Sequence, residues 1–246
     1  MISRRLLTGI AMLLLWTASA RAADERCNVP GDMLYTEQAM PRVARKLAAS
    51  QPLRIVVLGS SSSLQNAKGL PRSYAAGLHD ALAVRLDGAQ LQIENLSQRT
   101  LTAAQMADII QSLPSKQPDL VIWQTGNVDA AQKVDINSFS EALKDGLAHL
   151  QSYGADILLV APQYRLRLSV MVDVGPYNDV MQQIASAEDV VLFPRFEVMR
   201  HWAEEDRFDS RTADQAKQMH EAEAQNRCLA EQMAGMIAAA VRKAKP

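Results

Sequence analysis

The first residues in this sequence equipped for chemistry are Gly59-Ser60-Ser61-Ser62-Ser63. They follow Leu53–Leu58 (LRIVVL), a short β-branched run that reads as a strand. The glycine permits a tight exit, and hydroxyls placed there stand at the carboxyl end of the strand, beside the N–H groups of a starting helix. A serine hydroxyl becomes an effective nucleophile only when a base takes its proton. Ser-rich loops are also ordinary turns, so the loop alone leaves both readings open. His79 and His149 fall inside helical patterns among polar neighbours, and His201 precedes Trp202 in a helix-like stretch, which makes all three solvated or packing residues. None has ligand spacing, so no metal is expected, and no cofactor is called for. Tyr164, Arg165 and Arg167, in APQYRLRL, line the mouth of a pocket or form a surface loop; Met171, Met181, Met199 and Trp202 read as core or cleft wall.

The elements that must position such a loop alternate along the chain. Strand-like runs at Leu53–Leu58, Leu91–Leu96, Asp119–Gln124, Ile157–Val160 and Val190–Phe193 are separated by helical patterns. Those patterns cover Ser73–Leu86, Thr102–Leu113 with Thr102 as its cap, Phe139–Tyr153 ending at Gly154, and about Tyr177–Ser186. A last helix is expected over about Glu221–Lys243. Strand and helix in alternation predict an α/β fold with a parallel sheet covered on both faces, and the near-continuous Val/Ile/Leu runs agree. Ligands of such sheets bind beyond the carboxyl ends of the strands, which points to the loops after Leu58, Leu96 and Gln124.

With those positions set, LRIVVLGSSSS resembles the first block of the SGNH/GDSL hydrolases, in the sub-group where Gly-Asp-Ser becomes Gly-Ser-Ser. Asn95–Met106 (NLSQRTLTAAQM) lies where the second block belongs, and Val121–Ala130 (VIWQTGNVDA) is similar to the third, Gly-x-Asn-Asp. MHEAEAQNRCLAEQMA places His220 just before the closing helix, matching the fifth block, Asp-x-x-His. The resemblance implies a three-layer α/β/α, flavodoxin-like fold with a central parallel sheet of about five strands. It also implies serine-dependent hydrolysis of an acyl or acetyl ester on a small molecule or carbohydrate. Ser61 takes the nucleophile's position and His220 the base's, with the Ser61 N–H in the oxyanion hole.

Three positions depart from the family pattern. Thr100 stands where the second block supplies a glycine N–H to the oxyanion hole; the backbone donor survives, but a β-branched residue fits poorly if that position needs positive φ. Val128 occupies the place of the oxyanion asparagine, with Asn127 one residue early. Along a strand that displacement would turn Asn127 to the other face, so its use depends on the path of the loop. Lys217 stands where an aspartate should accept the histidine's N–H, and lysine has no acceptor. The alternatives for orienting His220 are Asp214, one helical turn further upstream, as a substitute acid, or Glu221, or a backbone carbonyl. Two outcomes follow: a weak serine esterase, or a catalytically inactive binding protein for envelope glycans or acylated ligands.

The remaining sequence bounds the setting. Arg4 and Arg5 precede an apolar run, Leu6–Trp16, and small residues follow to Ala22, the pattern of an export signal cleaved after Ala22. This predicts a periplasmic or secreted domain spanning residues 23–246, by either a general or a twin-arginine route. The apolar run is too short for the roughly 20 residues that span a bilayer, and Cys27 lacks the preceding Leu-x-x of a lipid-anchor signal. Loss of residues 1–22 removes Arg4, Arg5 and Arg21 from 26 Lys and Arg, leaving 23 against 27 Asp and Glu, a net of −4. A mildly acidic chain gives no reason to expect nucleic acid as a partner. In an oxidising compartment Cys27 and Cys228 form a disulfide or remain two buried thiols. The oligomeric state is not encoded in any motif.

Overall fold

A computed structural model of the chain describes residues 24–64, 69–165, 171–209 and 211–244. The export segment over residues 1–22, together with Arg167, lies outside the described residues.

The order of elements is α1 (Pro41–Ala48), β1 (Leu53–Leu58), α2 (Tyr74–Arg85), β2 (Leu91–Asn95), α3 (Ala103–Gln111), β3 (Leu120–Gln124), α4 (Asn127–Gln132), α5 (Ile136–Ser152), β4 (Asp156–Val160), α6 (Gly175–Ala187), β5 (Val191–Phe193), α7 (Arg195–Glu204) and α8 (Gln215–Lys243). The five strands form one parallel sheet in the order β2-β1-β3-β4-β5. Chain order reverses at β1, so the crevice beyond the carboxyl ends of β1 and β3 is the natural ligand site of this topology.

Alternation along the strands divides the core into two layers. Ile55, Val57, Ile122, Leu158, Val160 and Phe193 face a cluster with residues of α1, α2, α7 and α8. Val56, Leu58, Val121, Trp123, Ile157 and Leu159 face the other, with residues of α3, α5 and α6. A period of two, apolar on both faces, is what a sheet sandwiched between helices requires. Helix starts are capped as their sequences suggest: Thr102 and Gln105 form a reciprocal capping box on α3, and Asp135 accepts from the N–H groups of Asn137 and Ser138 on α5.

Helices α1 and α4 were not expected, α7 was foreshadowed only by the helix-like stretch around His201, and α8 begins early. Helix α8 starts at Gln215 rather than near Glu221, because Asp214 accepts from the Lys217 N–H at 3.0 Å and nucleates an earlier turn. That turn is polar and exposed, so it carries no apolar period to reveal it. The added α4 follows β3 directly, and its start at Asn127 bears on the site.

Cys27 and Cys228 are joined in a disulfide, with Cα atoms 5.0 Å apart, which fastens the amino-terminal segment to α8. Two ion pairs to α8 reinforce the fastening, Asp24 with Arg227 at 2.8 Å and Arg26 with Glu221 at 3.5 Å, while Arg26 also pairs locally with Asp24 at 2.9 Å. The hydrogen bond from Arg26 is the chief cause holding the Asp24 carboxyl down to about 2. Stability from the ionised form is therefore present above about pH 4 and lost as pH falls toward 2. Urea unfolding at pH 4 and pH 2 should show an additional acid destabilisation in the wild type that Asp24→Asn lacks; identical pH dependence in both would contradict it.

Candidate active site

The exit of β1 is built to hold a serine turn. Gly59 is buried, and a Cβ there would come within 2.5 Å of Ser63 Oγ and 2.9 Å of Ser63 Cβ, so only glycine lets the turn fold back so tightly. Ser61–Ser63 form one turn of 3₁₀ helix, closed by the Ser63 N–H donating to the Ser60 carbonyl at 2.9 Å. Beneath it, Gln124 at the tip of β3 is wholly buried, and its Oε1 accepts from Ser63 Oγ at 3.0 Å and Ser62 Oγ at 3.1 Å. Tyr74 Oη meets Ser63 Oγ at 2.6 Å, and Arg195 Nη1 donates to Ser62 Oγ at 3.0 Å. Each serine hydroxyl passes its own hydrogen to Gln124 and accepts one from outside, which fixes Ser62 and Ser63 and leaves Ser61, exposed, out of this network. From β2, Asn95 Nδ2 donates to the Ser63 carbonyl at 2.7 Å, and the Gln98 N–H donates to the Gly59 carbonyl at 3.1 Å.

A cavity of about 350 Å³ opens on this turn, lined by Ser60, Ser61, Ser62, Thr100, Asn127, Val128, Ala131, Gln132, Gln163, Tyr164, Arg165, Val172 and Val174. Val128, Ala131, Val172 and Val174 give the lining an apolar part, and no carboxylate is among the described lining residues.

Thr100 has φ 61°, the left-handed conformation that the glycine of the family pattern would adopt without strain. A β-branched residue there costs about 1–3 kcal/mol. Thr100→Gly should therefore raise stability by about 1 kcal/mol, an increase in Tm of about 2–4 °C by calorimetry. An unchanged or lower Tm would show that Thr100 makes compensating contacts.

Asn127 reaches the cavity because it does not continue a strand. Gly126 adopts φ 91° and begins α4, so Asn127 and Val128 sit on a helical turn and both line the cavity. A Cβ on Gly126 would also stand 2.8 Å from Pro162 Cγ, so two constraints require glycine there. The Gln163 N–H donates to Asn127 Oδ1 at 2.7 Å, which identifies that oxygen and leaves the Nδ2 hydrogens for another acceptor.

One buried carboxylate ties the two oxyanion-side loops together. Asp129 accepts from the Ala103 N–H at 2.9 Å, at the start of α3, and from the Gly126 N–H at 3.2 Å. Burial outweighs these hydrogen bonds and raises the Asp129 carboxyl above the usual range.

The fifth-block residues lie apart from this cavity. His220 is exposed in the second turn of α8, inside the helix rather than before it, and does not line the cavity. No described residue hydrogen-bonds its ring, and none bridges it to Ser61. Lys217 pairs with Asp209 at 2.7 Å, and Asp214 is engaged as the α8 cap. Helix α8 is joined to the segment that leads into α2: Glu223 Oε1 accepts from the Arg72 N–H at 3.2 Å, and Asn226 Nδ2 donates to the Arg72 carbonyl at 2.9 Å. His79 and His149 are exposed on α2 and α5, and His201 is half-buried on α7. Met181, Met199 and Trp202 are core residues, whereas Met171 is 80% exposed, neither core nor cleft wall. Among the described residues, one group of potential metal ligands occurs, Asp24 with Cys27 and Cys228, and its sulfurs are spent in the disulfide. No helix among them is long and apolar enough to cross a membrane.

Tyr74 and Arg195 were not legible as site residues, Gln124 was legible only as a strand end, and Asp129 only as the last residue of the third-block pattern. A glutamine ending an apolar strand and an arginine straight after β5 were the available signals, since both mark carboxyl ends of strands.

Solved structures share this architecture. Over 74% of this chain and 97% of its own, TesA superposes with a TM-score of 0.58 at 23% identity. The lipase/acylhydrolase from Enterococcus faecalis gives 0.59 at 17% identity, covering 76% of this chain and 96% of its own. Axe2, an acetylxylan esterase from Geobacillus stearothermophilus, gives 0.59 at 15% identity over 75% and 94%. Identities this low establish the fold, which is the SGNH hydrolase fold. No curated protein sequence matches the chain. Residues 26–243, nearly the whole described structure, match the non-GDSL lipase-like family, and the chain belongs to that family.

Proposed function

We propose that this protein is an exported serine esterase acting on acyl or acetyl esters, carbohydrate esters among them, with Ser61 as nucleophile and His220 as base. One observation carries the reading: the exposed Ser61 opens on a cavity that Thr100 and Asn127 also line. Ser61 Oγ attacks the ester carbonyl carbon while its proton passes to His220. The oxyanion takes hydrogen bonds from the Ser61 and Thr100 N–H groups and from Asn127 Nδ2, each such donor being worth about 10²–10³ in turnover. His220 returns the proton to the leaving alcohol, and a water repeats the sequence on the acyl-enzyme. The apolar wall of Val128, Ala131, Val172 and Val174 suits the acyl portion. Activity is expected to be weak, because no acid orients His220 and Lys217 is held by Asp209.

A second reading, a catalytically inactive protein that keeps the cleft for acylated ligands or envelope glycans, is favoured by that same pairing and by the exposure of His220. A fluorophosphonate probe, followed by peptide mass spectrometry, separates the two. Labelling at Ser61 that Ser61→Ala abolishes supports the esterase; an unlabelled Ser61 rejects it in favour of binding.

A further inference from the structure

The least explained charge in the molecule is Arg195. It is 0% exposed, at the first residue of α7, where the positive end of the helix dipole makes a cation unfavourable. Its Nη1 donates to Ser62 Oγ, while Nε and Nη2 have no partner among the described residues. The face of the Tyr74 ring lies 5.2 Å from its guanidinium carbon. Burial holds the Tyr74 hydroxyl above its ordinary range, so the ring is neutral and supplies no counter-charge. Burial lowers Arg195 to about 10, with repulsion from Arg165 adding to the shift, and the group remains a cation at neutral pH.

Every Asp and Glu of the chain lies among the described residues, and none of them pairs with Arg195 or Arg165. A buried cation without a counter-charge is costly, and such a violation is characteristic of a functional site. Arg195 stands directly behind Ser62, which lines the cavity, and Arg165 lines the cavity itself. One guanidinium group thus lines a cavity whose described lining contains no carboxylate, and a second is hydrogen-bonded to the lining residue Ser62.

We infer that this cavity takes an anionic ester, one carrying a carboxylate, sulfate or phosphate group. Arg165 meets the anion at the wall, and Arg195 supplies uncompensated positive charge from behind Ser62. The inference rests on Ser61 being the nucleophile only insofar as the ligand is an ester; the preference for an anion stands on the two arginines.

Two esters with the same acetyl group test it: 4-acetoxybenzoate, an anion, and 4-acetoxybenzamide, its neutral counterpart. The intact protein should hydrolyse the anion with kcat/KM about tenfold higher, a preference that shrinks with added salt and disappears in Arg165→Gln. Ser61-dependent hydrolysis with equal kcat/KM for both esters would overturn the inference while sustaining the esterase. Calorimetric titration of both compounds into Ser61→Ala gives a readout free of catalysis. Binding of the anion about tenfold tighter supports the inference even if the protein hydrolyses neither ester, and equal binding overturns it. Arg195→Lys, which keeps the charge, should retain more of the preference than Arg195→Met; equal retention by both would remove Arg195 from the account.

Discussion

Ser61→Ala is expected to lower kcat/KM for p-nitrophenyl acetate by about 10²-fold. The size follows from how serine hydrolase residues work together. In subtilisin, removing the serine costs about 2 × 10⁶ in turnover and removing the acid alone about 3 × 10⁴, so a site already lacking its acid retains roughly 10² for its serine. Here the acid position is Lys217, bound to Asp209, and the ring of His220 has no described orienting partner. A far larger loss would mean that another acceptor orients His220 once substrate is bound. Equal rates for wild type and variant would leave the cleft as a binding site, with the oxyanion donors serving a carbonyl they never cleave. Circular dichroism should be unchanged, because Ser61 is exposed and the side-chain hydrogen bonds that hold the turn come from Ser62 and Ser63, while the Ser61 carbonyl, kept in the variant, accepts from the Leu64 N–H.

Removing the disulfide should have the largest effect on stability. Cys27 and Cys228 are separated by 201 positions, and the chain-entropy relation gives about 5 kcal/mol for closing such a loop. For a domain of this size that corresponds to a fall in Tm of about 10–20 °C, read by calorimetry on the double variant Cys27→Ser/Cys228→Ser. Reduction of the wild type should give a similar loss. A change below about 1 kcal/mol would show that other contacts already close the loop. The candidates are the Asp24–Arg227 ion pair and the hydrogen bond from Gln232 to the Cys27 carbonyl at 2.7 Å. The same result would weaken the case for an oxidising compartment, since the crosslink would then add little.

The fold was legible because it follows from local patterns. Val56 and Val57 face opposite layers, as a strand buried on both sides demands, and Thr102 and Gln105 announce a helix start with a capping box. Such signals depend on neighbours within a few residues, and the five-stranded parallel sheet comes directly from their alternation. Ser61, Thr100 and Asn127 were also legible as candidates, because the blocks around them resemble the SGNH/GDSL pattern, and the structure lines one cavity with all three.

What the tertiary structure alone decided concerns groups far apart in sequence. The strain at Thr100 depends on a φ that no residue type reveals. Asn127 faces the cavity because Gly126 turns left-handed against Pro162, a contact made across the sheet. The network that anchors the serine turn joins Ser62 and Ser63 to Tyr74, Gln124 and Arg195, and Arg195 lies 133 positions from the serine it touches. The pairing of Lys217 with Asp209, and the polar first turn of α8, likewise had no periodic signature. Periodicity reports which face of an element is buried; which polar group meets which depends on how the faces are brought together, and that is settled only by packing.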